Sequence, residues 1–551
     1  MPVSMLTLAC MRMSSHKKSS ACRQRSGVEI TPDFKAAYEA MESDAPFVFI
    51  TGRAGTGKST LLEYFRTRTK KACAYLAPTG VAALNINGQT IHSFFKFAPG
   101  ITVADAKKKG SSADDELYGS LRAIIIDEIS MVRADLLDCV DGFLRRVKRK
   151  KKKPFGGVQV IAIGDLYQLP PVVQSNERDA FAKRYSSPFF FSSDAVRELA
   201  EDANISFFEL QKIYRQRDND FIHLLNGIRN ASIEDGDLAR LNARVQPKMP
   251  SWDGSYIHLT TTNQAADEIN RIHFHALKSP ASVCEGTVRG QFSERDLPTD
   301  IRLSLKKGAR VMFVKNDTTG AGGRWVNGTM GTVEQVSDKS VRVRVDGKKQ
   351  PVDVEPMIWT MYKSVYNRST RQLEQDRIGS FTQIPLRLAW ATTIHKSQGK
   401  TFDRVVVDLA HGAFASGQVY VALSRCTSFE GLILACPVVR QQLRLDFQVM
   451  KFLTRLHYQR ARAEQSLAEK IGLLKAAIKK KAEVEVVYLK GTDEKSHRRI
   501  RPKRMYDSEY SGHAFMALDA YCCLRRSDRV FNVERFLSVK AANGDQFSPQ
   551  R

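Results

Sequence analysis

The sequence predicts an α/β protein with two parallel-sheet lobes, a small all-β insertion in the second lobe, then a helix and a β-rich C-terminal module. Three observations predict it. Short apolar runs at Phe47–Thr51, Ala74–Ala77, Ala123–Asp127 and Gln159–Gly164 alternate with helical stretches, the pattern of a parallel sheet covered on both faces. A second set, Tyr256–Thr262, Arg310–Val314, Arg404–Leu409 and Leu432–Cys436, repeats it and predicts a second parallel sheet. Between Gly331 and Pro385 the pattern turns to short strands with Gly and Asp turns, as in "GTVEQVSDKSVRVRVDGKKQPVDV".

Taken in order, residues 1–28 hold no acid but carry Arg12, Lys17, Lys18, Arg23 and Arg25. That is the composition of a mitochondrial transit peptide, or else of a disordered basic tail. The first lobe is expected over 29–195 and the second over 196–331 and 386–445, interrupted by the β insertion at 332–385. One long charged helix is expected over 446–482, followed by the C-terminal module at 483–551.

Composition narrows the function. The chain has 551 residues, 42% apolar and 26% charged, which excludes a fibrous or mostly disordered protein. No uncharged apolar run reaches the ~18 residues of a membrane span. Lysine and arginine number 85 against 59 acids, a net charge of +26. An excess of that size points to a polyanionic partner, nucleic acid before anionic membrane, or else serves solubility alone. A membrane-surface protein would also need an amphipathic basic helix with an aromatic face, which is not found. The nine cysteines include no CxxC pair, against both a disulfide framework and a zinc site.

"GRAGTGKST" at Gly52–Thr60 fits the phosphate loop G-x-x-x-x-G-K-[ST], after an apolar strand and before a helix. Gly52, Gly55 and Gly57 let backbone N–H groups turn inward beside Thr56 and Thr60, and the helix N-terminus adds its positive end. Lys58 is placed to reach the β- and γ-phosphates of ATP, and the Ser59 hydroxyl to bind Mg²⁺. The strand "AIIIDEISM" ends in Asp127 and Glu128, and carboxylates are rarely set there unless paired or metal-bound. Asp127 can hold Mg²⁺ through water and Glu128 can orient or deprotonate the attacking water; the bland alternative is a helix cap. Gln168, in "IGDLYQLPP", could sense the γ-phosphate. These features predict an ATPase.

The series "GRAGTGKST", "APTGVAALNINGQTIHSFF", "IIIDEISMV", "KPFGGVQVIAIGDLYQLPPV", "LQKIYRQRD", "LTTTNQAADEIN", "WVNGTMGTV", "ATTIHKSQGKTFDRVVVD" and "QVYVALSRCTSFEGL" resembles the petite-integration-frequency (Pif) DNA helicases, relatives of RecD in helicase superfamily one. The order is the family's and covers about residues 30–440. The resemblance implies two RecA-like lobes, a wedge insertion at about 87–120 and an SH3-like insertion at 332–385. It further implies 5′-to-3′ movement on single-stranded DNA and splitting of tailed or forked duplex. The chain is expected to be a monomer, though the sequence leaves the oligomeric state open. Replication, repair, recombination or maintenance of DNA, mitochondrial before nuclear, would be the setting. Arg215 and Arg425 match the two arginines that reach the γ-phosphate from the second lobe. Thr79, His92, Ser93 and Phe94, with Thr393, His395, Lys396 and Ser397, match positions on the DNA track. Weighed singly, Phe94 is as much core as stacking platform, and His395 could be a satisfied buried histidine. A single-strand-stimulated ATPase that remodels complexes with little processive unwinding is the alternative.

Two departures stand out. Family members carry a glutamine upstream of the phosphate loop that reads adenine, and "EITPDFKAAYEAM" offers Phe34 there, which puts strict selection of ATP in doubt. Motif three reads "GDLYQLPP" where aromatic pairs are common. "RRVKRKKKKPFGG" at Arg145–Gly157 is a solvated loop suited to a helix C-terminus, an extra phosphate contact or a nuclear import signal. The C-terminal "AYCCLRRSDRVFNVERFLSV" resembles a WYL domain, with Phe515, Met516 and Ala517 in place of the signature triplet. Arg499, Arg525, Arg529 and Arg535 are its candidate nucleic-acid contacts, with Tyr488 as a stacking partner, against a purely docking role. Cys522 and Cys523 are expected on opposite faces of a strand.

Overall fold

The structure is a computed structural model. It describes residues 28–111, 115–216, 218–246, 256–292, 297–317, 324–337, 339–367, 372–410, 412–413, 415–490, 495–510 and 513–542. The basic segment at 1–28 therefore lies almost wholly outside the described residues.

Six parallel strands form the first sheet, in the spatial order Gln89–Thr90, Cys73–Ala77, Ala123–Ile126, Gln159–Ile163, Phe47–Gly52 and Ile205–Leu210. Phe47–Gly52, Ala123–Ile126 and Gln159–Ile163 are buried along their whole length, which is why they read as unbroken apolar runs. Ile205–Leu210 corrects the expected boundary: it lies beyond residue 195 yet pairs with Phe47–Gly52 throughout. Ser206 and Glu209 interrupt its apolar run, unlike the unbroken runs of the central strands.

The second parallel sheet has four short strands, Ala391–Thr393, Ile257–Thr260, Val405–Val407 and Leu432–Leu434. Arg310–Phe313 does not belong to it, contrary to expectation. It pairs antiparallel with Met330–Val336 and Leu386–Leu388 in a five-stranded sheet completed by Val341–Val345 and Val352–Val354. Its four consecutive buried residues look alike in either kind of sheet, and only its partners distinguish them. A long hairpin, Met357–Asn367 with Gln372–Gln383, projects from this insertion and pairs with Thr287–Gly290. It reaches back to the first lobe, where the Gln89 side-chain amide donates to the Tyr362 carbonyl at 2.5 Å.

The single helix expected over 446–482 is two. Phe447–Glu464 buries Val449, Phe452, Leu453 and Leu456 in the first-lobe core, with Phe452 stacked on Phe191 at 4.4 Å. Gln465 breaks the helix, and Ser466 restarts it through a capping box with Glu469. Leu467–Lys480 then packs Leu474 and Ala477 against a five-stranded antiparallel C-terminal sheet. Cys522 is the buried last residue of strand His513–Cys522, and Cys523 is half-buried in the turn that follows, so the two do not share a strand as expected.

Candidate active site and nucleic-acid interface

Strand Phe47–Gly52 runs into the phosphate loop and helix Lys58–Arg66. Gly55 and Gly57 have φ of +80° and +89°, left-handed values that suit glycine. No side chain caps the helix at Gly57, so its first N–H groups stay available to an anion. A Cβ on Gly55 would fall 2.4 Å from Arg215 Cβ, and the Tyr214 N–H donates to the Gly55 carbonyl at 2.8 Å. The segment bearing Arg215 therefore lies directly on the loop. Lys58 curls back, its Nζ donating to the carbonyls of Gly52 and Arg53 at 2.6 and 2.9 Å. Burial pulls the Lys58 pKa down, while Asp165, Glu128 and Asp127 act against that fall. Thr56 is buried with its hydroxyl on the Arg53 carbonyl at 3.0 Å, whereas Ser59 and Thr60 are exposed at the mouth of the cleft.

Asp127 and Glu128 stand at the end of Ala123–Ile126. Glu128 has a φ of +51°, a left-handed conformation that costs a non-glycine residue about 1 kcal/mol or more. Burial raises both carboxyls. Glu128 is pushed up to about 7, with the neighbouring Asp127 adding to the effect and Lys58 and Arg425 opposing it.

Across the cleft, Arg425 is fully buried, its Nε donating to the Val421 carbonyl at 2.9 Å and its Nη2 to Ser424 Oγ at 2.9 Å. Burial, and then the charge of Arg215, brings its pKa down to about 9. Arg425 comes from the second lobe as expected. Arg215 instead rides on the connection that follows the first-lobe edge strand, its Nη1 reaching the Ser424 carbonyl at 3.4 Å. The structure thus brings Lys58, Ser59, Thr60, Glu128, Gln168, Arg215 and Arg425 onto one cleft between the lobes.

Three residues not anticipated complete it. Gln398 Nε2 donates to Glu128 Oε2 at 3.0 Å and to Gln168 Oε1 at 3.2 Å, linking the lobes. Tyr420 OH accepts from the Ala54 N–H at 3.2 Å. Arg229 pairs with buried Asp165 at 3.1 Å and lies 4.0 Å from the Tyr167 ring centroid. Gln398 sits in "HKSQG" and Tyr420 in "QVYVALSRC", so both were within quoted motifs; Arg229 had no sequence signal. At the far end Glu29, Thr31, Phe34, Lys212 and Tyr214 line the cleft. Phe34 is buried edge-on to Tyr64 at 5.4 Å, so that position offers ring packing where an amide would offer hydrogen bonds.

The residues matched to the DNA track lie at the carboxyl edges of the two parallel sheets. Thr79 and Ser93 are exposed, His92 half-buried, and Thr79 caps the helix Gly80–Asn85. Phe94 is a correction: it is 4% exposed and edge-on to Phe95 at 4.9 Å and Tyr118 at 5.5 Å, a core residue with no free face. Thr393 and Ser397 are also buried, and their hydroxyls hold the turn. Thr393 Oγ1 accepts from the Lys396 N–H at 3.2 Å, and Ser397 Oγ donates to the Ile394 carbonyl at 2.7 Å. Lys396 is exposed and His395 half-buried beside them. In the C-terminal sheet Arg525, Arg529 and Arg535 are exposed, while Arg499 is bound to Glu483 at 2.8 Å. Tyr488 is edge-on to Phe531 and Phe536 at 5.4 and 5.5 Å, packing rather than offering a ring.

A phosphate loop, paired carboxylates on the next strand and a buried arginine from a second lobe, all on one cleft, define a two-lobed nucleotide-hydrolysing motor of the helicase kind. The sequence model of the PIF1-like helicases matches residues 30–238, and that of the WYL domain matches 469–541. The ATP-dependent DNA helicase Pif1 of Bdellovibrio bacteriovorus is 34% identical over 418 residues, 74% of this chain and 88% of that protein. PIF1 of Homo sapiens is 35% identical over 402 residues, 70% of this chain and 57% of that protein. Among solved structures, Bacteroides sp Pif1 in complex with ADP-AlF4 superimposes with a TM-score of 0.70 at 34% identity, covering 80% of this chain and 98% of that one. Bacteroides Pif1 bound to ssDNA gives 0.55 at 35% identity, covering 77% and 96%. The chain belongs to the PIF1-like helicase family and carries a WYL domain at its C-terminus.

Proposed function

We propose that this chain is an ATP-dependent DNA helicase that moves 5′ to 3′ on single-stranded DNA and separates tailed or forked duplex. The observation that carries the reading is the cleft itself, with Lys58 and Glu128 on one wall and Arg425 of the other lobe buried in the opposite one. Closure around ATP brings a positive charge from each lobe to the γ-phosphate, and loss of that phosphate releases the lobes. The relatives are named DNA helicases, and one solved relative holds ssDNA, which supports DNA as the track.

Mg²⁺ fits the residues present. Asp127 and Glu128 are two adjacent half-buried carboxylates whose pKa values burial raises, an anionic pair beside the phosphate loop that suits a divalent cation. No cluster of three or more His, Cys, Asp or Glu capable of holding a metal occurs among the described residues. Ser59 and Asp127 would therefore hold the ion together with the nucleotide's own phosphates, where it supplies charge neutralisation to the transferring phosphoryl group. Glu128 then holds or takes the proton of the attacking water, and its pKa near 7 suits that task.

Thr79, His92, Ser93, His395 and Lys396 are the residues we place along the strand, with Arg525 and Arg529 as a further contact on the C-terminal module. A monomer acting in replication, repair or recombination, imported into mitochondria by residues 1–28, completes the reading. The test is strand separation on duplexes bearing a 5′ or a 3′ single-stranded tail, with and without ATP. Opening of the 5′-tailed substrate alone is expected. If neither opens while single strands still stimulate hydrolysis, the chain is a remodelling ATPase instead.

A further inference from the structure

The lysine run that the nucleotide site leaves unused forms one wall of a separate groove on the first lobe. Helix Ala134–Val147 ends there, and the chain turns through Arg149 (φ +55°), Phe155 (φ +52°) and Gly156 (φ +61°) into strand Gln159–Ile163. The turn is held in place. The Phe155 N–H donates to Asp141 Oδ1 at 2.6 Å, and Arg145 bonds Asp141 at 2.8 Å and Glu198 at 2.7 Å. The Lys153 N–H donates to the Lys150 carbonyl at 3.1 Å, and a Cβ on Gly156 would lie 2.5 Å from the Leu144 carbonyl. The opposite wall is the C-terminal end of helix Val103–Ser111, fastened by Arg146 Nε donating to Ser111 Oγ at 2.7 Å. Lys150, Lys151, Lys152 and Lys153 are all exposed on this groove, and no carboxylate lines it among the described residues. The concentration of positive charge is felt nearby: burial, then Lys150 and Arg122, lowers Lys148 to about 8.

We propose that this groove binds the phosphate backbone of duplex DNA, as a second nucleic-acid site on the side of the first lobe away from the nucleotide. Three features select that ligand. Among the described residues the groove has no aromatic ring in its lining, so it offers phosphates a partner but bases no stacking face, which is the chemistry of a backbone whose bases are turned inward. Val147, which is buried, is the only apolar side chain in its lining among the described residues, so these offer no apolar wedge with which to enter a membrane surface. The lysines sit in a turn closed by the Lys153 N–H on the Lys150 carbonyl, which gathers their charges on one short surface as a phosphate backbone requires. Strand Gln159–Ile163 begins at the groove and ends toward Gln168 in the cleft, so the two sites lie at opposite edges of one sheet. Helix Val103–Ser111 falls in the segment expected to act as the wedge. The inference rests on the helicase reading for its assignment to the parental arm of a fork; phosphate binding in the groove does not depend on it.

The test uses the full chain with Lys150, Lys151, Lys152 and Lys153 all changed to Ala, and a second variant with all four changed to Arg. Binding to a forked duplex and to a short single strand is measured across salt concentrations. The Ala variant is expected to bind the fork more weakly by on the order of tenfold or more, with a slope of log affinity against log salt smaller by about 3. Single-strand affinity and single-strand-stimulated ATP hydrolysis should be unchanged, and the Arg variant should bind the fork normally. Unchanged fork affinity and slope would overturn the proposal and leave the run as a solvated loop or import signal. An equal loss on the short single strand would also overturn it, because the lysines would then belong to the single-strand track. Failure of the wild-type protein to open any tailed duplex would instead overturn the helicase reading, whatever the lysines bind.

Discussion

The inter-lobe cleft and the C-terminal sheet treat charge in opposite ways. In the cleft, Arg425 is buried and Lys58 and Glu128 are half-buried, and loss of hydration moves each away from its ordinary pKa. In the C-terminal sheet, Arg499 and Arg501 share Glu483, Lys503 meets Asp528 and Arg504 meets Asp519, all at the surface. Exposed pairs of that kind contribute about 0–1 kcal/mol each and define no chemistry. The difference is that the cleft gathers charges from both lobes where they are partly shielded from water, a state that a bound nucleotide and cation relieve, while the C-terminal sheet leaves its charges to water. The exception on the C-terminal side is Lys495, which reaches Glu209 at 2.6 Å on the edge strand of the first lobe. Burial alone would raise Glu209, but Lys495 and His457 hold it down at about 2.

The comparison can be broken most forcefully at Arg425. Its change to Ala is expected to lower the rate of ATP hydrolysis by on the order of 10³–10⁵ while nucleotide binding survives, measured by steady-state turnover beside fluorescent-nucleotide titration. Lys58→Ala should abolish hydrolysis and unwinding but leave single-strand binding intact, and normal turnover in that variant would refute the site. Glu128→Gln should slow turnover by roughly 10²–10⁴ and trap ATP bound and unhydrolysed, as rapid-quench analysis would show.

The pH dependence sharpens the point. Glu128 must be ionised to accept a proton, so kcat/KM for ATP should rise as pH increases through about 7 and level off above it. Gln398→Ala removes a donor to the charged carboxylate. The acid limb should therefore move to higher pH, with kcat reduced by about tenfold; an unmoved limb would make Gln398 a lobe contact only.

The smallest effects belong to the C-terminal side. Lys495→Ala leaves Glu209 to the more distant His457 at 3.9 Å and should destabilise the docked module by on the order of 2 kcal/mol, below the cost for a fully buried pair. Because the folded pKa of Glu209 is depressed, that contribution is present above the carboxylate's usual value near 4.5 and fades as pH falls toward about 2. Arg504→Ala should change stability by less than about 0.5 kcal/mol, and thermal unfolding of both variants over this pH range checks the contrast.

Much of this was legible along the chain. The phosphate loop is continuous, so spacing alone placed Gly55, Gly57, Lys58 and Ser59, and the apolar strands that position Asp127 and Glu128 are buried runs that any local reading detects. Phe94, Thr393 and Ser397 mark the limit of a motif, which says which residues recur together, not which face of a turn each side chain takes. Phe94 faces Tyr118, and the two hydroxyls close their own turn. Arg310–Phe313 was assigned to the wrong sheet because strand pairing is a long-range property.

The sequence by itself determined the chemistry and the class: a nucleotide-hydrolysing α/β motor with an excess of positive charge, since those signals are local in spacing and additive in composition. The tertiary structure alone decided that Ile205–Leu210 completes the first sheet and lays Arg215 on the phosphate loop. It alone brought Gln398 across the cleft to Glu128, and made a groove of the Lys150–Lys153 turn by setting it against helix Val103–Ser111. Each of these joins residues far apart in the chain, and such contacts follow from how whole elements bury their apolar faces rather than from any short stretch of sequence.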